Sequence, residues 1–268
     1  MNGMKNILLY FVFLLTPIIY HAQDSASVEK FRFKPYLKSY WTDARDIAVK
    51  PFLWEPGEWY TAAGGIVIDG VLLCYDKEIQ EFVQNSRTKT SGDITKYGLE
   101  PWGHYYTIGT LGLLYFQGAL FKNKHHKSAA LTGLKAYILS ACFVRIPKFV
   151  FARKRPFETS PLDAHQWEWF DPDYSSFFSG HTITVFSVAT VLAYEYKDIK
   201  AVPWIAWSIA GLSGLSRIND NKHWASDVFT GALAGYGIGK LIYSNKQYLQ
   251  VGLTPSVGGT SVCVKMQF

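Results

Sequence analysis

Cysteine is scarce. Only Cys74, Cys142 and Cys263 occur in 268 residues, and none forms a Cys-x-x-Cys pair. A disulfide-stapled miniprotein, a zinc site and thioredoxin-type chemistry therefore have no basis in the sequence. Short repeats are lacking as well. The 22 Gly and 11 Pro follow no fixed period, which excludes collagen-like and low-complexity chains. Charged residues are only 18% of the chain, whereas hydrophobic residues are 49% and aromatics 16%, so disorder is excluded. After the first twenty residues no uninterrupted apolar run of membrane-spanning length occurs. The nearest, 104–121, has 18 residues without Asp, Glu, Lys or Arg. An acidic excess is absent too: 27 Lys and Arg outnumber 21 Asp and Glu, for a formal charge of +6. That balance suits an anionic partner, whether a phosphate, an acidic lipid surface or nucleic acid, without choosing among them. One domain is the default at this length.

The amino terminus reads as an export signal over 1–22. Lys5 precedes an apolar stretch at 7–20, and the polar His21-Ala22-Gln23-Asp24 follows. Ala22 suits the last position before cleavage, but Tyr20 is large where a small residue is wanted. The segment is thus either removed or kept as an anchor, and the remainder starts outside the cytoplasm. Residues 23–58, with Pro35, Pro51 and Pro56, read as an irregular, surface-wrapping lead-in. A helical domain follows over 59–245, with helices expected at 59–83, 104–121, 128–144, 180–194, 202–215 and 225–243. Between them lie a polar connection at 84–101, a basic turn at 122–127 and an acidic, aromatic loop at 157–174. In the tail, 246–268, Gly258-Gly259 beside the alternating Val262, Val264 and Met266 predicts a small β-hairpin. The fold class is all-α, about six helices around one core. Gly231, Gly235 and Gly239 fall four apart on one helix face; no strand precedes them, so they predict close helix packing rather than a dinucleotide loop.

Three clusters concentrate the chemistry. The first is Lys148-Phe-Val-Phe-Ala-Arg-Lys-Arg155-Pro156. Lys148 and Arg155 stand seven residues apart, so a helix would project both from one face and end at Pro156. Two such cations can grip a dianion, although a basic run is also commonly a solvated or membrane-flanking face. The second is Ser175-Ser-Phe-Phe-Ser179-Gly180-His181, leading into an apolar helix. Ser179 can cap that helix, Gly180 lets the backbone approach a ligand, and the free N–H groups bind phosphate oxygens. His181 then stands beside the anion as a proton donor; a plain cap would use the same residues. The third is Ser216-Arg217-Ile-Asn-Asp-Asn-Lys-His223-Trp-Ala-Ser-Asp227. On a helix Asp227 can accept a hydrogen bond from His223, fixing its tautomer and freeing the other nitrogen as a nucleophile. Arg217 adds a third cation. A His/Asp pair at this spacing is also often a surface contact. The other histidines carry a structural reading: His125 and His126 lie in the basic turn, His104 and His165 are single, and His165 is the nearer outsider.

In order and separation, these clusters resemble the signature of the type 2 phosphatidic acid phosphatase family, shared with vanadium haloperoxidases and bacterial class A acid phosphatases. The resemblance covers about 59–243, with the motifs in 148–227. One departure is plain: the family's Pro before Ser-Gly-His is Phe178 here, which bears on the shape of that turn. The resemblance implies a two-step phosphate transfer without metal or other cofactor. His223 would attack phosphorus to form a phosphohistidine, Asp227 would orient it, and His181 would protonate the leaving alcohol and then activate water. Lys148, Arg155 and Arg217, with Ser179 and the Gly180 N–H, would hold the equatorial oxygens as charge develops. Three side-chain cations would supply the countercharge that a metal supplies in many phosphoryl-transfer enzymes.

The signs for a membrane conflict. Most helical segments are short for spanning, yet the helix order resembles the six-span lipid phosphatases, and the basic 122–127 turn with Lys197 and Lys200 would face the cytoplasm. Retaining the signal as the first span, with 59–83 outside the bilayer, puts the clusters on the outer side; a soluble exported bundle does so too. Trp167, Trp169, Phe170, Phe177 and Phe178 near the clusters suit an amphiphilic phosphoester. Phosphatidic acid, phosphatidylglycerol phosphate, undecaprenyl diphosphate and lipid A phosphates all qualify. Competing readings are a soluble broad-range acid phosphatase and a haloperoxidase holding vanadate on His223. A nucleic-acid binder or envelope scaffold rests only on the net charge and leaves the clusters without a role.

Overall fold

A computed structural model describes residues 33–248, 252–256 and 259–263. The expected export signal at 1–22 lies outside the described residues. The described chain is mostly helical, in line with the all-α reading. The 23–58 stretch differs from the irregular lead-in expected of it, because α1 spans Phe33–Val49. Pro35 falls in its first turn, where a missing N–H costs no intrahelical bond. Ser39, Asp43 and Ile47, four apart, form its buried face. That face is polar enough to escape an apolar-periodicity reading, and its partners are distant in sequence. Lys135 pairs with Asp43 and donates to Ser39 Oγ at 3.0 Å, while Asn245 Nδ2 donates to Asp43 Oδ1 at 2.7 Å.

α2 spans Pro56–Asn85 and opens on a capping box between Glu55 and Glu58, with Pro56 in its first turn. The polar connection contains α3 (Lys89–Ile94), a wide π-helical turn at Thr95–Leu99 and a tight 3-10 turn at Glu100–Gly103. α4 (Tyr105–Leu120) and α5 (Lys124–Phe143) follow, the latter capped by Asn123 Oδ1 accepting from His126 N at 3.1 Å. α6 is short, Arg145–Phe151. After a long loop come α7 (Gly180–Glu195), α8 (Ala201–Asn219) and α9 (Ala225–Tyr248). Strands Gly252–Ser256 and Gly259–Cys263 then pair antiparallel, with Leu253 opposite Val262.

α7 is the central post. Ile183, Val185, Val188, Ala189 and Val191 are buried on it, and so are Thr182, Ser187 and Thr190. A helix buried on every side is hydrophobic or small all round, which explains why α7 shows no strong polar face. Several of its hydroxyls bond locally or across the interface: Ser187 Oγ accepts or donates at 3.0 Å with Ser140 Oγ on α5, and Thr182 Oγ1 donates to Ser179 Oγ, whereas Thr190 Oγ1 is buried with no partner among the described residues. The core joins Ile47, Ala136, Val144, Phe178, Ile183, Val191, Ile238 and Ile242 from α1, α5, α7 and α9 with the loop before α7. By contrast α2, α4 and α8 present long apolar side chains outward. Ile66, Val67 and Val71, then Ile108, Phe116 and Leu120, then Trp204, Leu212 and Leu215 are all exposed.

The glycine row on α9 is a packing surface. A Cβ on Gly235 would stand 2.5 Å from the Ile183 carbonyl oxygen and 2.8 Å from Phe186 Cβ, and one on Gly239 would stand 2.5 Å from the Ser187 carbonyl oxygen. Backbone cannot yield as a side-chain tip can, so α9 can lie this close to α7 only without side chains there. Gly237 has nothing within 4 Å. Replacing an exposed helical glycine with alanine gains about 0.5–1 kcal/mol, whereas overpacking costs about 1–3 kcal/mol. Gly237→Ala should therefore raise the thermal unfolding midpoint, and Gly235→Ala should lower it. Equal shifts in both variants would remove the close-packing account.

Candidate active site

The three clusters meet at one end of the bundle, where α6 and α8 finish and α7 and α9 begin. Their convergence begins with a residue that the sequence reading passed over. Arg153 is fully buried. Its Nη1 donates to Asp227 Oδ1 at 2.7 Å and Ser226 Oγ at 2.8 Å; its Nη2 donates to Asp76 Oδ2 and the Ala164 carbonyl, both at 2.7 Å; its Nε donates to the same carbonyl at 3.1 Å. All five guanidinium hydrogens are thus used. The rings of Trp167 and Trp224 stand 4.8 Å and 5.2 Å from its carbon. Asp76 also accepts from Ser226 N at 2.9 Å, fastening α2 to the start of α9.

Burying Arg153 breaks the helix expected through Pro156. α6 stops at Phe151, Ala152 turns left-handed at φ 42°, and Arg155 is extended at φ −79°, ψ 157°. Lys148 and Arg155 therefore do not share a helix face. They converge by another route: Lys148 Nζ donates to the Ser175 carbonyl, and Arg155 Nη2 donates to Ser175 Oγ at 3.2 Å.

His223 and Asp227 are also not on one helix. His223 precedes α9, and Asp227 sits in its first turn, where Oδ2 accepts from Trp224 N at 2.9 Å and from Ser176 Oγ. The expected pairing still forms. His223 Nδ1 lies 3.5 Å from Asp227 Oδ2 and 3.4 Å from Ser176 Oγ, which leaves Nε2 as the nitrogen for chemistry. Burial pushes the His223 imidazole down to about 3, against the pull of Asp227, and Lys148 and Arg155 push it the same way as burial. The ring is therefore neutral near pH 7, as a nucleophile must be.

His181 lies in the first turn of α7. Its Nε2 stands 3.2 Å from Glu100 Oε1, and its ring centroid is 4.2 Å from that of His104. Arg217 Nη1 approaches the same Glu100 oxygen at 3.7 Å and Asp220 Oδ2 at 3.5 Å. Its Nε is buried with no hydrogen-bond partner among the described residues, a donor that an oxyanion would satisfy. Ser179 caps α7, as its position implied: Oγ accepts from Thr182 N at 3.3 Å and Thr182 Oγ1 at 2.9 Å. Both acceptor positions are filled, so its own proton is what the hydroxyl has left to give. Gly180 lies against the Lys148 stem, where a Cβ would meet Cε at an ordinary 3.6 Å.

The sequence reading missed Ser176, Glu100, Asp76 and the role of Arg153. An aspartate in an apolar helix was the available signal for Asp76. Glu100, inside a polar connection, gave none. His104, expected to be structural, donates to or accepts from Tyr137 Oη at 3.0 Å but also abuts His181. His165 is exposed in the loop, away from these contacts. Among the described residues no group of three or more His, Cys, Asp or Glu side chains could hold a metal ion.

Residues 129–250 match the PAP2 superfamily profile, a span that holds Lys148, Arg155, Ser179, Gly180, His181, Arg217, His223 and Asp227. The chain is 37% identical over 103 residues to the lipid A 1-phosphatase of Porphyromonas gingivalis, an alignment covering 37% of this chain and 20% of that protein. It is 31% identical over 138 residues to the probable diacylglycerol pyrophosphate phosphatase 1 of Schizosaccharomyces pombe, covering 43% of this chain and 50% of that one. The chain thus spans between a fifth and half of the curated relatives it matches. The PAP2-type phosphatidylglycerolphosphate phosphatase of Bacillus subtilis shares the fold, with TM-score 0.54 at 21% identity over 71% of this chain and 98% of that one. LpxE of Aquifex aeolicus superposes with TM-score 0.48 at 27% identity over 62% and 93% of the two chains.

Gly103 fixes where His181 can stand. A Cβ there would come within 2.2 Å of His181 Cδ2 and 2.7 Å of Cγ. The proton-donor role that the sequence predicts for His181 implies that Gly103→Ala, by displacing the imidazole, should cut kcat about tenfold or more on alkyl phosphates, with a much smaller loss on nitrophenyl phosphate, whose leaving group needs little protonation. Equal losses on both would contradict that expected role.

Proposed function

From the match of residues 129–250 to the PAP2 superfamily, we propose that the chain is an exported, membrane-embedded lipid phosphatase of that kind. It works through a phosphohistidine on His223 and without metal. The observation that carries this reading is the convergence of Lys148, Arg155 and Arg217 on two imidazoles, with Arg217 Nε left without an acceptor among the described residues.

In the first step His223 Nε2 attacks phosphorus, the bond to the leaving oxygen breaks, and His181, which enters as the imidazolium balanced by the phosphate dianion, gives that oxygen its proton. Asp227, held by Arg153, Ser176 and the Trp224 N–H, faces the positive ring that forms. In the second step water attacks the phosphohistidine and passes its proton to His181; inorganic phosphate leaves and both imidazoles are restored. The three cations, with the Ser179 hydroxyl and the Gly180 N–H, stabilise the charge on the equatorial oxygens. Glu100, bonded to His181 and near Arg217, occupies the side of the site from which the leaving group departs, and a dianionic substrate would compete with it for Arg217.

The substrate class follows from the surroundings. Phe149, Trp169 and Phe170 are exposed beside the site, and Phe149 meets Phe170 edge-on at 5.9 Å. Such rings sit well at a lipid–water interface. The outward apolar faces of α4 and α8 suit hydrocarbon better than water and favour the membrane form over a soluble acid phosphatase. Among the described residues one helical stretch, Lys124–Phe151, is long and apolar enough to cross a membrane. The named activities of the relatives, on lipid A 1-phosphate and on diacylglycerol pyrophosphate, are of the same class. We place the site on the outer, periplasmic face.

The purified protein in detergent should hydrolyse phosphatidic acid or a related lipid phosphate with the same rate in excess chelator. His223→Ala should abolish turnover on every substrate, and His181→Ala should leave a trace on nitrophenyl phosphate. Turnover by His223→Ala at the wild-type rate, or collapse of the rate in chelator, would sink the proposal.

A further inference from the structure

A cavity of about 100 Å³ lies between α4, α7 and α8. Its walls are apolar apart from two threonines, and Trp102, Val185, Ala189, Leu192, Ala206 and Ile209 define its shape. Its position is what gives it meaning. On α7, Val185 comes one turn after His181, about 6 Å along the axis at 1.5 Å per residue. On α8, which runs the other way, Ile209 comes two turns before Arg217, about 12 Å along the axis. The cavity therefore extends inward beneath the two residues on the leaving-group side of the site. Trp102 forms its upper wall, and that residue sits between Glu100, bonded to His181, and Gly103, in contact with His181.

We propose that this cavity receives the first methylenes of the hydrocarbon chain borne by the substrate's leaving alcohol. The inference rests on the phosphatase reading and deepens it. His181 protonates the leaving oxygen, so whatever that oxygen carries departs on the His181 side. A polar linker about 6 Å long, such as a glycerol carbon and its ester, bridges the gap, and methylenes then reach Val185 and Ala189. The cavity is half open, so a chain can enter it, and its apolar walls take small apolar groups in preference to water. Each buried methylene contributes about fourfold in affinity, so a few are enough to select lipid over soluble phosphoesters. The cavity leaves the phosphate grip untouched, because none of Lys148, Arg155 or His223 lines it.

The test fills the cavity from two sides with Ala189→Phe and Ala206→Phe. Each variant should lose about tenfold or more in kcat/KM on long-chain phosphatidic acid in mixed micelles and stay within about twofold of wild type on nitrophenyl phosphate. Equal losses on both substrates, or no loss on the long chain, would overturn the proposal. A second readout does not need turnover. A long-chain alkyl phosphonate brominated near its head should quench tryptophan fluorescence in the wild type. Trp102→Phe should lose that quenching, and so should both filling variants. Quenching unchanged in all three overturns the cavity assignment. A wild type that binds this probe through Trp102 but hydrolyses no phosphoester would instead refute the phosphatase reading and leave the cavity standing.

Discussion

A single buried guanidinium holds the site together. Arg153 lies between Asp76 on α2 and Asp227 on α9, at 2.7 Å from each, with no exposed surface. Two carboxylates this deep would not both stay ionised without it, and the cation would not stay buried without them. Breaking such an arrangement by removing one member is costly, about 3–5 kcal/mol, because an unpaired charge remains. The same contact sets the chemistry. Asp227 uses one oxygen on Arg153 and the other on Trp224 N and Ser176, and the second oxygen is the one that faces His223. On the proposed reading, the nucleophile is aimed through a carboxylate that is itself fixed by three partners.

The two arginines of the site make a useful contrast. The guanidinium hydrogens of Arg153 are all satisfied within the protein, whereas Arg217 has a buried Nε with no partner among the described residues. A closed guanidinium is a structural pin. An open one beside two imidazoles is, on the proposed reading, the receptor for an anion. That reading groups Lys148 and Arg155 with Arg217, since both are held near Ser175.

Much of this was legible in the sequence, for reasons that can be stated. The long apolar segments lie on α2, α4, α5, α7, α8 and α9 because an apolar stretch of helical length bounded by polar turns leaves a plain trace even where no single face is polar. Ser179 sits at the cap of α7 because its local chemistry needs no distant partner. The glycine row on α9 marks the tightest helix contact. What escaped depended on residues far apart in the chain. Arg153 draws its partners from positions 76, 164, 226 and 227, and its burial diverts the backbone from the helix that would have carried Lys148 and Arg155 together. α1 escaped because its buried face is held by Lys135 and Asn245 rather than by apolar contacts alone. Glu100 escaped because a carboxylate in a polar connection has no feature that separates it from a solvated one.

The central claim is that phosphate passes through His223. The most direct test is to mix the enzyme with a ³²P-labelled substrate, quench in alkali within the first turnover, and map the labelled peptide. The account predicts label on the peptide containing His223, stable to alkali and lost in acid, as a phosphoramidate bond requires. Label on a serine peptide that survives acid, or no covalent label while product accumulates, would contradict it.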